Sequence, residues 1–195
     1  VCSSDLRPAP KRRRAADAAL PAIPGRSRDT GEHLALPAPP PGTPPTLECL
    51  VPGAVAGERR HYVHERVVHA TFAPGQPLAD ALAGIGAAGE RNSPGFRPAA
   101  PEELLFLDIE SVGLFNGPLF LIGLLMLESG SLVVRQLFAR DYSEEAGVLE
   151  AASAALRARP GLVTFNGRSF DMPYIANRCA YHRLPFPEEQ GHTDL

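Results

Sequence analysis

Asp108 and Glu110 stand two positions apart in the apolar run Leu104-Leu-Phe-Leu-Asp-Ile-Glu110, which continues as Ser-Val-Gly-Leu114. Side chains alternate along an extended strand, so residues at this spacing share a face and an apolar strand presents both carboxylates to one point in space. Two like charges held that close need a cation. A second acidic signal follows in Thr164-Phe-Asn-Gly-Arg-Ser-Phe-Asp171, where an apolar stretch breaks at Asn166-Gly167 and an aspartate comes within one turn. Asp108, Glu110 and Asp171 on neighbouring strand ends would form an all-oxygen site suited to Mg2+ or Mn2+. Two such ions about 3.5–4 Å apart activate a water and stabilise a leaving oxygen, which is what phosphodiester hydrolysis needs. In this reading Asp108 bridges both ions, Glu110 binds one, and Asp171 completes the cage from the start of a helix.

The elements that must position these acids are legible from residue 104 onward. Leu104 to Ile109 reads as a buried strand, Leu119 to Leu127 as a second and Leu132 to Phe138 as a third, with Asn116-Gly117 and Ser129-Gly130 suited to successive antiparallel hairpins. Asp141 then caps a helix, with Glu144 as its box partner, and Val148, Leu149, Ala152 and Leu156 supply an apolar stripe up to Pro160. Leu162 to Phe165 is a fourth strand. A helix links it to the third, so it can lie parallel to the first and beside it. A second helix is expected over Phe170 to Leu184, with Ser169 near its cap and Pro173 in its first turn, and His192 to Leu195 opens a fifth strand. That order is α/β and ribonuclease H-like: a mixed sheet of three antiparallel strands followed by parallel strands with helices, incomplete at the C-terminus. Ligands in such sheets sit beyond the carboxyl ends of central strands, where Asp108, Glu110 and Asp171 fall.

Composition divides the chain in three. Fifteen of the 21 prolines lie in residues 1–100, and residues 1–46 are rich in Pro, Ala and Arg without a sustained apolar period. Such a segment cannot offset its ordering entropy and is expected to be a disordered tail. Residues 47–100 read as a poorly structured extension, with a hairpin expected within Arg60 to Phe72, and the compact domain is expected over 102–195. The net charge of −3 hides an asymmetry, because residues 1–30 hold seven Lys or Arg against three acids while residues 102–195 hold seven against 13. An acidic domain meets nucleic acid poorly unless metal ions neutralise part of it.

Cys2, Cys49 and Cys179 are odd in number and lack a Cys-x-x-Cys spacing, which argues against a disulfide framework or zinc knuckle and fits a reducing cytoplasm. The longest apolar run, Leu119 to Leu127, falls far short of the roughly 20 residues a bilayer span needs, and no signal-peptide core follows the basic N-terminal residues. No membrane partner is expected. A start at Val1 and a stop at Leu195, just as a strand opens, read as a fragment at both ends.

Three other features invite and resist functional readings. Lys11-Arg-Arg-Arg14 is a basic run in a tail, which is ordinarily only solvated. His61 and His64 would face opposite sides of a strand, and together with His69 they read as solvated strand histidines rather than as metal ligands. Gly84-Ile-Gly-Ala-Ala-Gly89 matches a dinucleotide-binding fingerprint by letter, but the fingerprint needs a strand before it and a helix after it. With Pro77 to Leu82 favouring helix before it and Asn92-Ser-Pro-Gly95 after it, the run is expected to be a flexible connection.

Phe106-Leu-Asp-Ile-Glu-Ser-Val-Gly-Leu114 resembles the first exonuclease motif of the DnaQ-like, or DEDD, superfamily of 3'-5' exonucleases, and Val163-Thr-Phe-Asn-Gly-Arg-Ser-Phe-Asp171 resembles its second. Phe120-Leu-Ile-Gly123, Arg135-Gln-Leu-Phe138 and His192-Thr-Asp-Leu195 make the chain look most like the YprB-type ribonuclease H-like branch. The resemblance spans about residues 102–195 and, more weakly, 47–72. It implies that Asp108, Glu110 and Asp171 are the metal ligands, that Asn166 and Phe170 shape the substrate or acid positions, and that Gly113 and Leu114 contact substrate. It also implies a third motif, with a fourth carboxylate and a nearby His or Tyr, which lies beyond residue 195; Asp194 matches a strand segment of the family and takes no part in that motif. The expected function is therefore a two-metal 3'-5' exonuclease acting on single-stranded ends of DNA or RNA, weakly active or inactive as this fragment. The rival expectation is a non-catalytic nucleic-acid-binding or interaction module that keeps the fold.

Overall fold

The computed structural model describes residues 38, 41–69, 77–88, 99–113, 117–187 and 191–195. Among the described residues, seven strands form one mixed sheet: β1 (Ala54–Ala56), β2 (His61–His69), β3 (Leu104–Ser111), β4 (Leu119–Glu128), β5 (Ser131–Phe138), β6 (Gly161–Thr164) and β7 (Gly191–Asp194), in the spatial order β1-β2-β5-β4-β3-β6-β7. Accompanying it among the described residues are the helices α1 (Leu47–Leu50), α2 (Pro77–Ala88), α3 (Glu145–Ala158) and α4 (Asp171–Tyr181). From β3 onward the order is the expected one. β3, β4 and β5 run antiparallel, β6 returns parallel to β3 beside it, and β7 continues parallel to β6. Ser129 and Gly130 both adopt positive φ, as a tight hairpin whose twist matches its strands requires.

Alternation along β3 separates the two sides of the sheet. Leu105, Leu107 and Ile109 enter the main core with Val148, Leu149 and Ala152 of α3 and Met172, Ile175 and Cys179 of α4. Leu104 and Phe106 face the other way, into a smaller cluster with Leu82 of α2, Leu132 and Val163. Val148, Leu149 and Ala152 are fully buried, as their helical spacing predicts.

The sheet does not stop at Pro101. β2 is one strand paired with β5 from Tyr62↔Phe138 to His69↔Leu132, and its hairpin partner is β1, across the turn Gly57 to Arg60. The hairpin expected within Arg60 to Phe72 is thus displaced toward the N-terminus. His61 is not solvated either: it is 6% exposed, its Nδ1 has no hydrogen-bond partner among the described residues, and burial pushes its pKa down. His64 Nδ1 lies 2.5 Å from the Pro52 carbonyl oxygen.

The glycine run expected to be a flexible connection is the last part of α2 as far as Ala88; Gly89 lies outside the described residues. Glycine costs a helix about 1 kcal/mol relative to alanine, and packing of Leu82 and Ile85 against the second cluster outweighs it. Gly86 has a packing reason, because a Cβ there would overlap the Ala99 carbonyl oxygen. A helix in this place removes the strand-to-helix turn that a dinucleotide site needs. Two caps also differ from expectation. Asp141 caps a short 3-10 turn by accepting from the Ser143 amide, while Glu144 accepts from the Arg140 amide and guanidinium rather than boxing Asp141. The expected tail over residues 1–46, with Lys11 to Arg14, lies outside the described residues apart from residue 38 and residues 41–46. Among the described residues, no helix is long and apolar enough to cross a membrane, and Cys49 and Cys179 are free thiols.

Candidate active site at the divergence of β3 and β6

β3 and β6 pair only over Leu104–Phe106 against Gly161–Val163. Three residues further on, the Ile109 N–H is met not by a strand but by Asp171 Oδ1, at 3.2 Å. Asp171 is the first residue of α4, so the chain leaving β6 turns over at residues 165–170 and drops a carboxylate into the gap. Because the Ile109 nitrogen is bonded to the carbonyl carbon of residue 108, the Asp171 oxygen lies within about 6 Å of the Asp108 Cα.

The electrostatics report the same proximity. Asp171 is 4% exposed; burial first, then the neighbouring Asp108 charge and more weakly Asp194, push its carboxyl above the usual carboxylate range, against the Ile109 N–H and the helix-start amide. Asp108 and Glu110 are both exposed and lie, by alternation, on the face of Leu104 and Phe106, whereas α4 packs on the opposite face. Asp171 therefore approaches through the strand edge rather than across either face. Among the described residues, no group of three or more His, Cys, Asp or Glu side chains is gathered closely enough to hold a metal ion. Asp108 and Asp171 come together; Glu110 is not drawn into a cluster with them. A buried carboxylate beside an exposed one supplies oxygen donors that fit a hard divalent cation, and Asp108 and Asp171 are the residues that would hold it.

Of the remaining expected residues, Asn166 and Phe170 lie in the turn between β6 and α4 and Gly113 in the loop after β3. Asn166 adopts φ +55°, and its Oδ1 and carbonyl oxygen accept from the Ser169 hydroxyl at 2.6 and 3.2 Å, so Ser169 closes the turn instead of capping α4. Phe170 is 39% exposed with its ring tilted against Tyr174, and Phe165 beside Asn166 is 81% exposed. Gly113 sits at φ +91° in the β3–β4 loop, its carbonyl oxygen accepting from the Ser111 hydroxyl; Leu114 lies outside the described residues. Register skips Phe120 between the pairs Glu110↔Leu121 and Ser111↔Leu119, which places a bulge directly after Glu110.

Three further residues support the site, of which Tyr174 and Glu145 gave no sequence signal of their own. The Tyr174 hydroxyl donates to the Gly117 carbonyl oxygen at 2.8 Å and ties the β3–β4 loop to α4. Glu145, 2% exposed, accepts from the Leu119 N–H at 2.8 Å, from Arg178 Nε and Nη2 at 2.6 Å each, and lies 2.7 Å from His182 Nε2. Burial works to raise its pKa, but the bonds from Arg178, His182 and Leu119 outweigh it and hold the carboxyl below the usual range. Asp194, at the end of β7, accepts from the Thr164 hydroxyl and the Gly167 N–H. Each is a long-range pairing of a polar residue that carries no periodicity.

Residues 105–195 match the model of the RNase_H superfamily. The matched stretch runs from β3 to the end of β7 and includes every residue of the candidate site. With the strand order above, the match makes the fold ribonuclease H-like, and it points to a nuclease-type function on nucleic acid. No curated protein matches the chain.

Proposed function

We propose that this chain carries a metal-dependent nuclease domain of the DnaQ-like, or DEDD, kind and of the YprB-type branch, which hydrolyses phosphodiester bonds at single-stranded ends of DNA or RNA in the 3'-5' direction. The observation that carries the reading is the buried Asp171 carboxylate set beside Asp108 at the edge where β3 and β6 part. A buried carboxylate beside a second negative charge is costly in isolation and is offset by a bound cation. Asp108, Glu110 and Asp171 are proposed as the ligands, of Mg2+ or Mn2+. When bound, a pair of these ions supplies water activation and stabilisation of the leaving oxygen. The chain's own contributions are positional: the Ile109 amide fixes one Asp171 oxygen, Asn166 and Phe170 present the β6–α4 turn to the substrate, and Gly113 and Leu114 are proposed as further substrate contacts.

The test is hydrolysis of end-labelled single-stranded DNA and RNA with Mg2+ or Mn2+, in the parent and in Asp108→Ala. Cleavage that proceeds from the 3' end and disappears in the variant supports the assignment; cleavage unaffected by the substitution removes it. A second reading, a non-catalytic nucleic-acid-binding or interaction module, is favoured by one observation, that no three potential ligands converge among the described residues. Thermal denaturation with added Mn2+ separates the two, because ligand linkage raises the midpoint only where a site exists.

A further inference from the structure

The Asp194 carboxylate is already occupied by the chain. Oδ1 accepts from the Thr164 hydroxyl at 2.7 Å and from the Gly167 N–H at 2.8 Å, and Oδ2 accepts from the Arg168 N–H at 3.3 Å. Three of roughly four lone-pair positions are therefore taken. The Thr164 oxygen also lies 2.7 Å from His192 Nε2. Since the single hydroxyl proton goes to Asp194, the histidine nitrogen must donate, giving a chain of donors from His192 through Thr164 to Asp194. Arg168 closes the same ring by donating to the His192 carbonyl oxygen at 3.1 Å.

What this ring holds is the turn that launches α4. Gly167 gives its N–H to Asp194 and its carbonyl oxygen to the Met172 N–H at 2.9 Å, and Met172 adjoins Asp171. Gly167 has no room for a side chain, because a Cβ would overlap the Thr164 side chain. The path from Asp194 to the position of Asp171 is thus two hydrogen bonds long and closely packed.

We infer that Asp194 is a positioning residue, a clamp on the β6–α4 turn that sets Asp171 against β3, and not a further metal ligand. The inference deepens the nuclease reading and rests on it for the identity of the site, but the clamp is measurable without metal. In the full chain, Asp194→Asn keeps an oxygen at Oδ1 for both Thr164 and Gly167, whereas Asp194→Ala keeps nothing. Hydrogen exchange at the Gly167 amide should quicken in the alanine variant and stay near the parent rate in the asparagine variant. Mn2+ affinity, followed by the free-ion electron paramagnetic resonance signal, should fall roughly 10- to 100-fold in the alanine variant, as for other outer-shell partners, and should be rescued by asparagine. If asparagine loses Mn2+ as fully as alanine, Asp194 is a ligand and the inference is wrong. Unchanged Gly167 exchange in the alanine variant also overturns it. Should that variant not fold, Thr164→Val removes one anchor of the clamp and should quicken Gly167 exchange; no change there overturns the clamp. A parent chain that binds no Mn2+ removes the nuclease reading, while the exchange measurements still decide the clamp.

Discussion

At the scale of single residues, the candidate site is a conflict between stability and function held at Asp171. Its carboxyl has a folded pKa above the ordinary 3.8, so the folded chain binds the proton more tightly than the unfolded one. Stability from this group is present at low pH and is lost as pH rises from 3.8 through the folded value. Asp171→Asn should therefore raise the melting midpoint of the metal-free protein at pH 7 and leave it unchanged near pH 3, while removing the Mn2+-induced increase; thermal melts at the two pH values check the sign. The approach of Asp171 to the strand that carries Asp108 was legible, because both acids break apolar runs at local spacing. Among the described residues Glu110 does not join a cluster with them, and the ligand roles of all three are proposals. What the spacing did not convey is that Asp171 enters through the edge of β3, a matter of how β6 diverges.

At the scale of elements, the start of α4 is fixed from two ends. The turn before it is held by β7, and its body is locked to α3 and β4 through Glu145, Arg178 and the Leu119 amide. Removing one partner of a buried ion pair leaves the other uncompensated, at about 3–5 kcal/mol. Glu145→Gln should destabilise the fold by that order in urea denaturation. Because the folded pKa of Glu145 lies below 4.5, its contribution is complete above that pH and vanishes as pH falls through the folded value, so the variant should also show a shallower acid transition. β3 to β5, α3 and β6 were readable from apolar period and turn residues. β2 was not, since polar residues break its apolar pattern and find partners on other strands, as Glu65 does with Arg135 at 2.6 Å. α2 was read short because its glycines signalled a break that tertiary packing overrides.

At the scale of the whole molecule, charge is divided between an acidic matched domain and a basic N-terminal stretch. If the stretch assists a nucleic-acid substrate, deleting residues 1–30 should weaken binding of single-stranded DNA at low salt and flatten the salt dependence of affinity, because phosphate contacts release counterions. Fluorescence anisotropy across a salt series measures both. The other whole-molecule feature is the placement of β2 along β5, outside the stretch that matches the superfamily. A chain shortened to start at Pro101 would bare the hydrogen-bonding edge of Ser131–Phe138 together with Leu132, Val133 and Leu137. Such a raw edge is a template for another copy. The shortened protein should aggregate or swap strands in size-exclusion chromatography where the longer one does not, so the smallest well-behaved unit would be larger than the matched stretch.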